Sequence, residues 1–169
     1  NLKDTFSGYL DTVKEYMENS DNRETDLEKY KYAIESGFML GEAYMTRRTA
    51  DDLQWIVDRI AEGRMEVGAG QFNYTMENFS TEETARATYY TNRHLVDMLG
   101  IETSDTQRMF DNPAFSKSYV DFAVSAGIKY GIHSMNPDRS PYHQKRQYDL
   151  FYMQGNDPNN KLLIFNGKH

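Results

Sequence analysis

Helix-forming segments alternate with short runs of β-forming residues along this chain, and this alternation restricts the fold more than any other feature. The apolar spacing predicts helices over residues 5–18, 38–45, 49–62, 80–99 and 116–126. Runs typical of strands lie at 30–34, 64–67, 107–110 and 128–132. Strands that alternate with helices in this way form a mostly parallel sheet with the helices packed outside it. The sequence therefore predicts an α/β fold.

The helix boundaries carry their own signals. Thr49 is a predicted N-cap with Asp51 and Asp52 in the positively polarised first turn. Ser80 and Glu83 have the spacing of a capping box. Glycines that end the predicted helices follow at positions 63, 100 and 127.

After residue 141 the pattern changes. Apolar runs at 151–153 and 162–165 flank a turn-rich segment at 155–160, which predicts a C-terminal β-hairpin with a long loop. The four strands before it are too few for a closed barrel, which takes about seven or eight. We therefore expect residues 1–169 to be part of a larger catalytic domain.

The composition excludes several classes of function. The net charge is −7 and no stripe of Lys and Arg offsets it, which argues against nucleic-acid binding. No apolar run approaches the length of a membrane helix, which argues against a membrane span. The chain has no cysteine, which excludes disulfides and thiolate metal sites without fixing a compartment or an oligomeric state. Its 13 tyrosines suit either sugar stacking or ordinary packing.

Polar side chains follow each predicted strand. Glu35, Asn73, Asp111 and His133 come after the four strands in order. The carboxyl ends of parallel strands share one edge of a sheet, so these residues are expected to converge on a ligand cleft. A carboxylate there can act as a nucleophile, a general base or a metal ligand. The alternative is that each acid caps the next helix, and that His133 is a hydrogen-bonded structural imidazole.

Several segments, taken in order, resemble the N-terminal catalytic domain of glycoside hydrolase family 38, the α-mannosidases. The matching segments are Lys31-Tyr32-Ala33-Ile34-Glu35, Glu62-Gly63-Arg64-Met65-Glu66-Val67-Gly68-Ala69-Gly70, Ser80-Thr81-Glu82-Glu83 with Arg86, Asp111-Asn112-Pro113-Ala114-Phe115-Ser116 and Ala126-Gly127-Ile128-Lys129-Tyr130. The resemblance covers most of the chain and implies part of an irregular (β/α)7-type barrel.

The resemblance also implies a function. Asp111 would be the catalytic nucleophile of a retaining α-mannosidase and a ligand of a divalent metal, usually zinc. Glu35, Phe72, Asn73, His133 and Arg139 would lie near a mannoside substrate. For Phe72 the alternative is core packing, and for Arg139 it is a solvated loop position.

The chain departs from the family pattern in ways that bear on activity. The H-x-D motif that the family places before the first helix and its downstream metal-binding histidine are not among these residues, and the acid/base carboxylate would lie beyond residue 169. Ala114 replaces a usual glycine, and Gln71-Phe72 stand where tryptophan is common. We therefore expect the 169 residues alone to be inactive, with weak or no metal binding.

Two other functions are compatible with the sequence. A metal-dependent polysaccharide deacetylase could use a similar incomplete barrel, but no two histidines here have the spacing of its paired ligands. A non-catalytic carbohydrate-binding pseudoenzyme would suit a tyrosine-rich, acidic chain.

Overall fold

The computed structural model describes residues 2–35, 37, 44–70, 78–110, 116–134 and 149–167. Its elements are α1 Leu2–Ser20, β1 Tyr32–Ile34, α2 Ala50–Ala61, β2 Met65–Val67, α3 Thr81–Leu99, β3 Thr106–Phe110, α4 Lys117–Ser125, β4 Tyr130–Ser134, β5 Leu150–Gln154 and β6 Lys161–Gly167. The helix predicted over 38–45 falls mostly on residues 38–43, which lie outside the described residues.

The strands form an arc of two mostly parallel sheets, β1-β2 and β3-β4-β6-β5. β1 pairs with β2, and β4 lies between β3 and β6, with all of these pairs parallel. Ser104 N donates to Val67 O at 2.7 Å and Ala69 N donates to Thr106 O at 3.0 Å. These bonds join the end of β2 to the start of β3. The bonded residues increase in number along both segments, so the two segments run parallel. The prediction of part of an α/β barrel with a C-terminal hairpin is confirmed.

The hairpin is built into the sheet. β5 and β6 pair antiparallel, as predicted, and β6 also pairs parallel with β4. The order β3-β4-β6-β5 leaves β5 as the outer strand. β6 occupies the inner position because Leu162 and Ile164, at most 1% exposed, belong to the apolar core on the helix side.

Two apolar clusters hold the helices on one face of the arc. The first joins β3, β6, α3 and α4 through buried residues that include Met109, Ala87, Tyr119 and Leu162. The second joins α1, α2, β1 and β2 and includes Met17, Ile56, Ile34 and Val67, with Leu95 of α3. Helix α3 therefore contributes to both clusters. Among the described residues, no helix is both long and apolar enough to cross a membrane.

The predicted helix ends are present. Thr49 and Asp52 form a capping box at α2, and Ser80 and Glu83 form one at α3. Hydrogen bonds from Thr49 hold the pKa of Asp52 below its usual value, and bonds from Ser80 do the same for the pKa of Glu83. Gly100 ends α3 in the left-handed conformation at φ 67°.

Helix α4 is tied to the hairpin turn by one carboxylate. Asp121 accepts hydrogen bonds from Asn156 N at 2.9 Å, Asp157 N at 3.2 Å and Asn160 Nδ2 at 3.0 Å. The bond from the Asn160 side chain is the largest cause that lowers the pKa of Asp121 below its ordinary 3.8. This contact orients the hairpin on α4.

We expect the Asp121 contact to make stability depend on pH in the acid range. Its pKa is lower in the folded than in the unfolded protein, so its stabilisation is present above the ordinary value of 3.8 and is lost as pH falls below it. Asp121→Asn should therefore lower the melting temperature at pH 6. It should also make the melting temperature fall less steeply as the pH is lowered from 6 to 3, as measured by circular dichroism. The control is Asp97→Asn on the exposed face of α3. The same dependence of melting temperature on pH in wild type and Asp121→Asn would contradict this assignment.

Candidate functional site at the carboxyl ends of the strands

Charged side chains lie on the face of the sheet opposite the helices. In β1 and β2 the paired residues Ile34 and Val67 pack in the helix-side core. Side chains alternate along a strand, so Glu66, which pairs with Ala33, points to the other face. Glu35 directly follows β1, at the carboxyl edge where it was predicted.

Arg108 of β3 joins this group. Its neighbour Met109 lies in the helix-side core, which places Arg108 on the same face as Glu66. Arg108 Nη2 forms an ion pair with Glu66 Oε1, and the Arg108 side chain is 7% exposed against 45% for Glu66. Burial lowers the pKa of Arg108, while the negative charge of Glu35 acts in the opposite direction. A guanidinium stays protonated throughout, so Arg108 is a fixed positive charge between two carboxylates.

The backbone at the end of β2 approaches its neighbours closely. Gly68 N donates to Ile34 O at 2.7 Å, and Gly37 N donates to Gly70 O at 3.1 Å. A Cβ on residue 68 would lie 2.7 Å from Glu35 O and 3.1 Å from Arg108 Nη1. Residue 68 must therefore be glycine for Glu35 and Arg108 to keep these positions.

Arg108 holds the Glu66 carboxylate in place at this edge of the sheet. The Arg108 guanidinium is too buried to contact a ligand directly, and it is ion-paired with Glu66. Glu66 is half exposed and can accept hydrogen bonds from hydroxyl groups of a ligand. Arg108 is thus a positioning residue for Glu66.

Several predicted site residues lie outside the described residues. They are Phe72, Asn73, Asp111 and Arg139. In sequence, Asp111 comes directly after Phe110, the last residue of β3, and three residues after Arg108. Their roles remain predictions.

His133 does not lie where it was predicted. The strand expected to end at residue 132 continues to Ser134, so His133 is within β4. It pairs with Met109 and Asn166 in register, which places it on the helix-side face, and it is 1% exposed. Its Nδ1 lies 3.3 Å from Asn166 Oδ1. This buried position on the helix side favours the structural alternative for His133.

Glu66 and Arg108 were not singled out as site residues from the sequence. The sequence pattern that could have identified them is a charged residue between two residues that are buried on the helix side. It occurs in Met65-Glu66-Val67 and in Gln107-Arg108-Met109. In a strand of a barrel-like sheet, such a residue points to the interior. Opposite charges at two such positions on adjacent strands predict an interior ion pair.

The described residues do not provide a metal site. Within residues 2–35, 37, 44–70, 78–110, 116–134 and 149–167, no group of three or more His, Asp or Glu side chains could hold a metal ion. The Glu66 carboxylate is instead engaged by Arg108. The predicted zinc ligand, Asp111, lies outside the described residues, so the zinc site stays a prediction.

The chain is similar to known proteins in its fold and not in its sequence. No protein-family model matches the chain, and no curated protein matches it. Its fold is similar to that of several solved structures, including two enzymes. An α-mannosidase from Enterococcus faecalis V583 matches 95% of this chain with a TM-score of 0.70 and 12% identity. A 4-α-glucanotransferase from Thermococcus litoralis matches 97% of it with a TM-score of 0.64 and 14% identity.

The matched region is a small part of each solved structure. The chain spans 17% of the α-mannosidase and 24% of the 4-α-glucanotransferase. At these identities the likeness concerns the fold. The chain therefore has a partial barrel-like fold that is similar to regions of these two larger enzymes.

Proposed function

We propose that this chain is part of a retaining, α-mannosidase-like glycoside hydrolase in which Asp111 is the nucleophile. The observation that carries the proposal is the position of Asp111 in the chain, directly after the carboxyl end of the parallel strand β3, just as Glu35 directly follows the parallel strand β1. Carboxylates at this edge of parallel strands are where α/β barrels place their chemistry. The ordered α-mannosidase-like segments and the likeness to a solved α-mannosidase support the same substrate class.

In this reaction the Asp111 carboxylate attacks the anomeric carbon of the mannoside, and the bond from that carbon to the aglycone oxygen breaks. The aglycone takes a proton from a second carboxyl group, which the resemblance places beyond residue 169. Water then hydrolyses the glycosyl ester with help from the same second group, and the anomeric configuration is retained.

The described residues would position the sugar. Glu35 and Glu66 would accept hydrogen bonds from sugar hydroxyls, and the ion pair with Arg108 would fix the position of Glu66. Phe72, Asn73 and Arg139 are proposed as further contacts. Asp111 is also proposed as one metal ligand, with the remaining ligands outside these 169 residues. The steps above do not depend on that ion.

Covalent trapping tests the proposal. The full-length protein is incubated with an activated, fluorinated α-mannosyl fluoride, which forms the glycosyl-enzyme and hydrolyses slowly because fluorine destabilises the oxocarbenium-like transition state. We expect a mass increase of one glycosyl group, located by peptide mapping at Asp111. An Asp111→Asn variant is the control and should stay unlabelled.

Two results would contradict this function. A label on another carboxylate would remove Asp111 from the nucleophile role. Release of the β-anomer from an α-mannoside, measured by NMR during the first turnovers, would show inversion and exclude a covalent intermediate.

A further inference from the structure

A cleft at the opposite end of β1 has the composition of a saccharide-binding site. Its volume is about 540 Å³, within the range of small-molecule sites. It lies where α1 ends and the loop to β1 runs, and it is lined by Tyr16, Asn19, Ser20, Arg23, Glu28 and Tyr30. The cleft is thus separate from the carboxyl edge that holds Glu35.

Two tyrosine rings form the apolar surface of this cleft. Tyr16 is 53% exposed and Tyr30 is 36% exposed. Their ring centroids lie 5.6 Å apart with an angle of 56° between the planes. The rings therefore present tilted, solvent-accessible faces, and the apolar C–H face of a pyranose can pack on such a surface.

The base of the cleft is held by hydrogen bonds that are buried or partly buried. Ser20 Oγ accepts from Tyr30 N at 2.8 Å and from Arg64 Nη2 at 3.0 Å. Arg64 Nη2 also donates to Tyr30 O at 3.2 Å, and Arg64 forms an ion pair with Asp21. Both backbone polar atoms of Tyr30 are thereby fixed to a buried core, so its ring is positioned before a ligand binds.

The polar groups at the rim of the cleft determine which class of ligand it favours. Arg23 and Asn19 are exposed, and within the described ranges their side chains make no hydrogen bond or ion pair. Glu28 accepts from Thr25 through Oε2, which leaves Oε1 for a ligand. Arg23 disfavours a cationic ligand and Glu28 disfavours an anionic one, whereas a diol can accept from the guanidinium and donate to the carboxylate.

We infer that this cleft binds a neutral hexopyranose, with a sugar ring packed on Tyr16 or Tyr30 and vicinal hydroxyls bonded to Arg23 and Glu28. The site would retain the protein on a polysaccharide. It does not take part in hydrolysis at the carboxyl edge of the strands.

Affinity electrophoresis of the full-length protein tests this inference. Native gels containing mannan, glycogen or no polysaccharide are compared for wild type, Tyr16→Ala, Arg23→Ala and Tyr89→Ala. Tyr89 is the matched control, since it is a 43% exposed tyrosine on α3. We expect mannan or glycogen to retard the wild type and Tyr89→Ala, and we expect the apparent affinity to fall about tenfold in Tyr16→Ala and in Arg23→Ala.

The outcomes separate this site from the proposed activity. Hydrolysis of an aryl α-mannoside is measured on the same samples, and Tyr16→Ala should leave its kcat/KM unchanged. Loss of retention in Tyr16→Ala while hydrolysis is unchanged supports a separate binding site. If the wild-type protein shows no hydrolysis, the same loss of retention still supports the binding site and counts only against the proposed activity. No retention on either polysaccharide, or retention unchanged in both Tyr16→Ala and Arg23→Ala, would overturn it. Circular dichroism melts of the variants verify that each is folded.

Discussion

Replacing Asp111 with asparagine is expected to lower kcat/KM of the full-length protein on aryl α-mannosides by a factor on the order of 10³ or more. Asparagine has nearly the same shape but is a much weaker nucleophile than a carboxylate, so the glycosyl-enzyme cannot form at a useful rate. The shape is conserved, so the melting temperature should change little. The measurement is release of the aryl group at substrate concentrations above and below KM.

The control for this experiment is Asp97→Asn, which removes one negative charge from an exposed position on α3. It should keep wild-type kinetics. In Asp111→Gly, added azide can take the place of the missing nucleophile and should give β-mannosyl azide, because it attacks from the face opposite the leaving group. Equal activity of wild type and Asp111→Asn would refute the nucleophile assignment.

Gly68→Ala is expected to destabilise the protein by about 1–3 kcal/mol, the usual effect of overpacking. The added Cβ would lie 2.7 Å from the backbone oxygen of Glu35 and 3.3 Å from that of Ile34. Backbone atoms cannot move aside as a flexible side chain can, so β1 and β2 must separate at their carboxyl ends. This displacement should also lower kcat/KM about ten- to a hundredfold, since small shifts of positioning groups are costly.

Gly8→Ala is the matched control, because it makes the same chemical change in open space. Gly8 is exposed on α1, and among the described residues no atom outside its own stretch of helix lies within 4 Å of the position of its Cβ. Alanine has the higher helix propensity, so this variant should gain about 0.5–1 kcal/mol. Urea unfolding of both variants measures the two effects. An unchanged stability in Gly68→Ala would show that the close approach at the strand ends does not constrain residue 68.

The predictions that succeeded depend on short stretches of chain. The capping boxes at Thr49 and Ser80 require residues three positions apart, and the left-handed end of α3 requires one glycine. The hairpin of β5 and β6 was also visible locally, as two apolar runs around a turn. Such features appear in the sequence because their energies come from neighbours along the chain.

The misplacement of His133 has a different origin. The strand was predicted to end at residue 132, but pairing with β3 and β6 on both sides continues it to Ser134. Those pairings bring Met109 and Asn166 beside His133, although each lies more than 20 residues away in sequence. A one-residue difference in where a strand ends, or in its register, decides which face a side chain occupies.

The sequence by itself determined the alternation of helices and strands, the helix caps and the place of Asp111 directly after a strand, since these follow from propensity, periodicity and local hydrogen bonds. Only the tertiary structure decided that β6 lies inside the sheet, that His133 is buried and that Arg108 pairs with Glu66. These features join residues that are distant in the chain, and their positions depend on how the parallel strands pack against the helices.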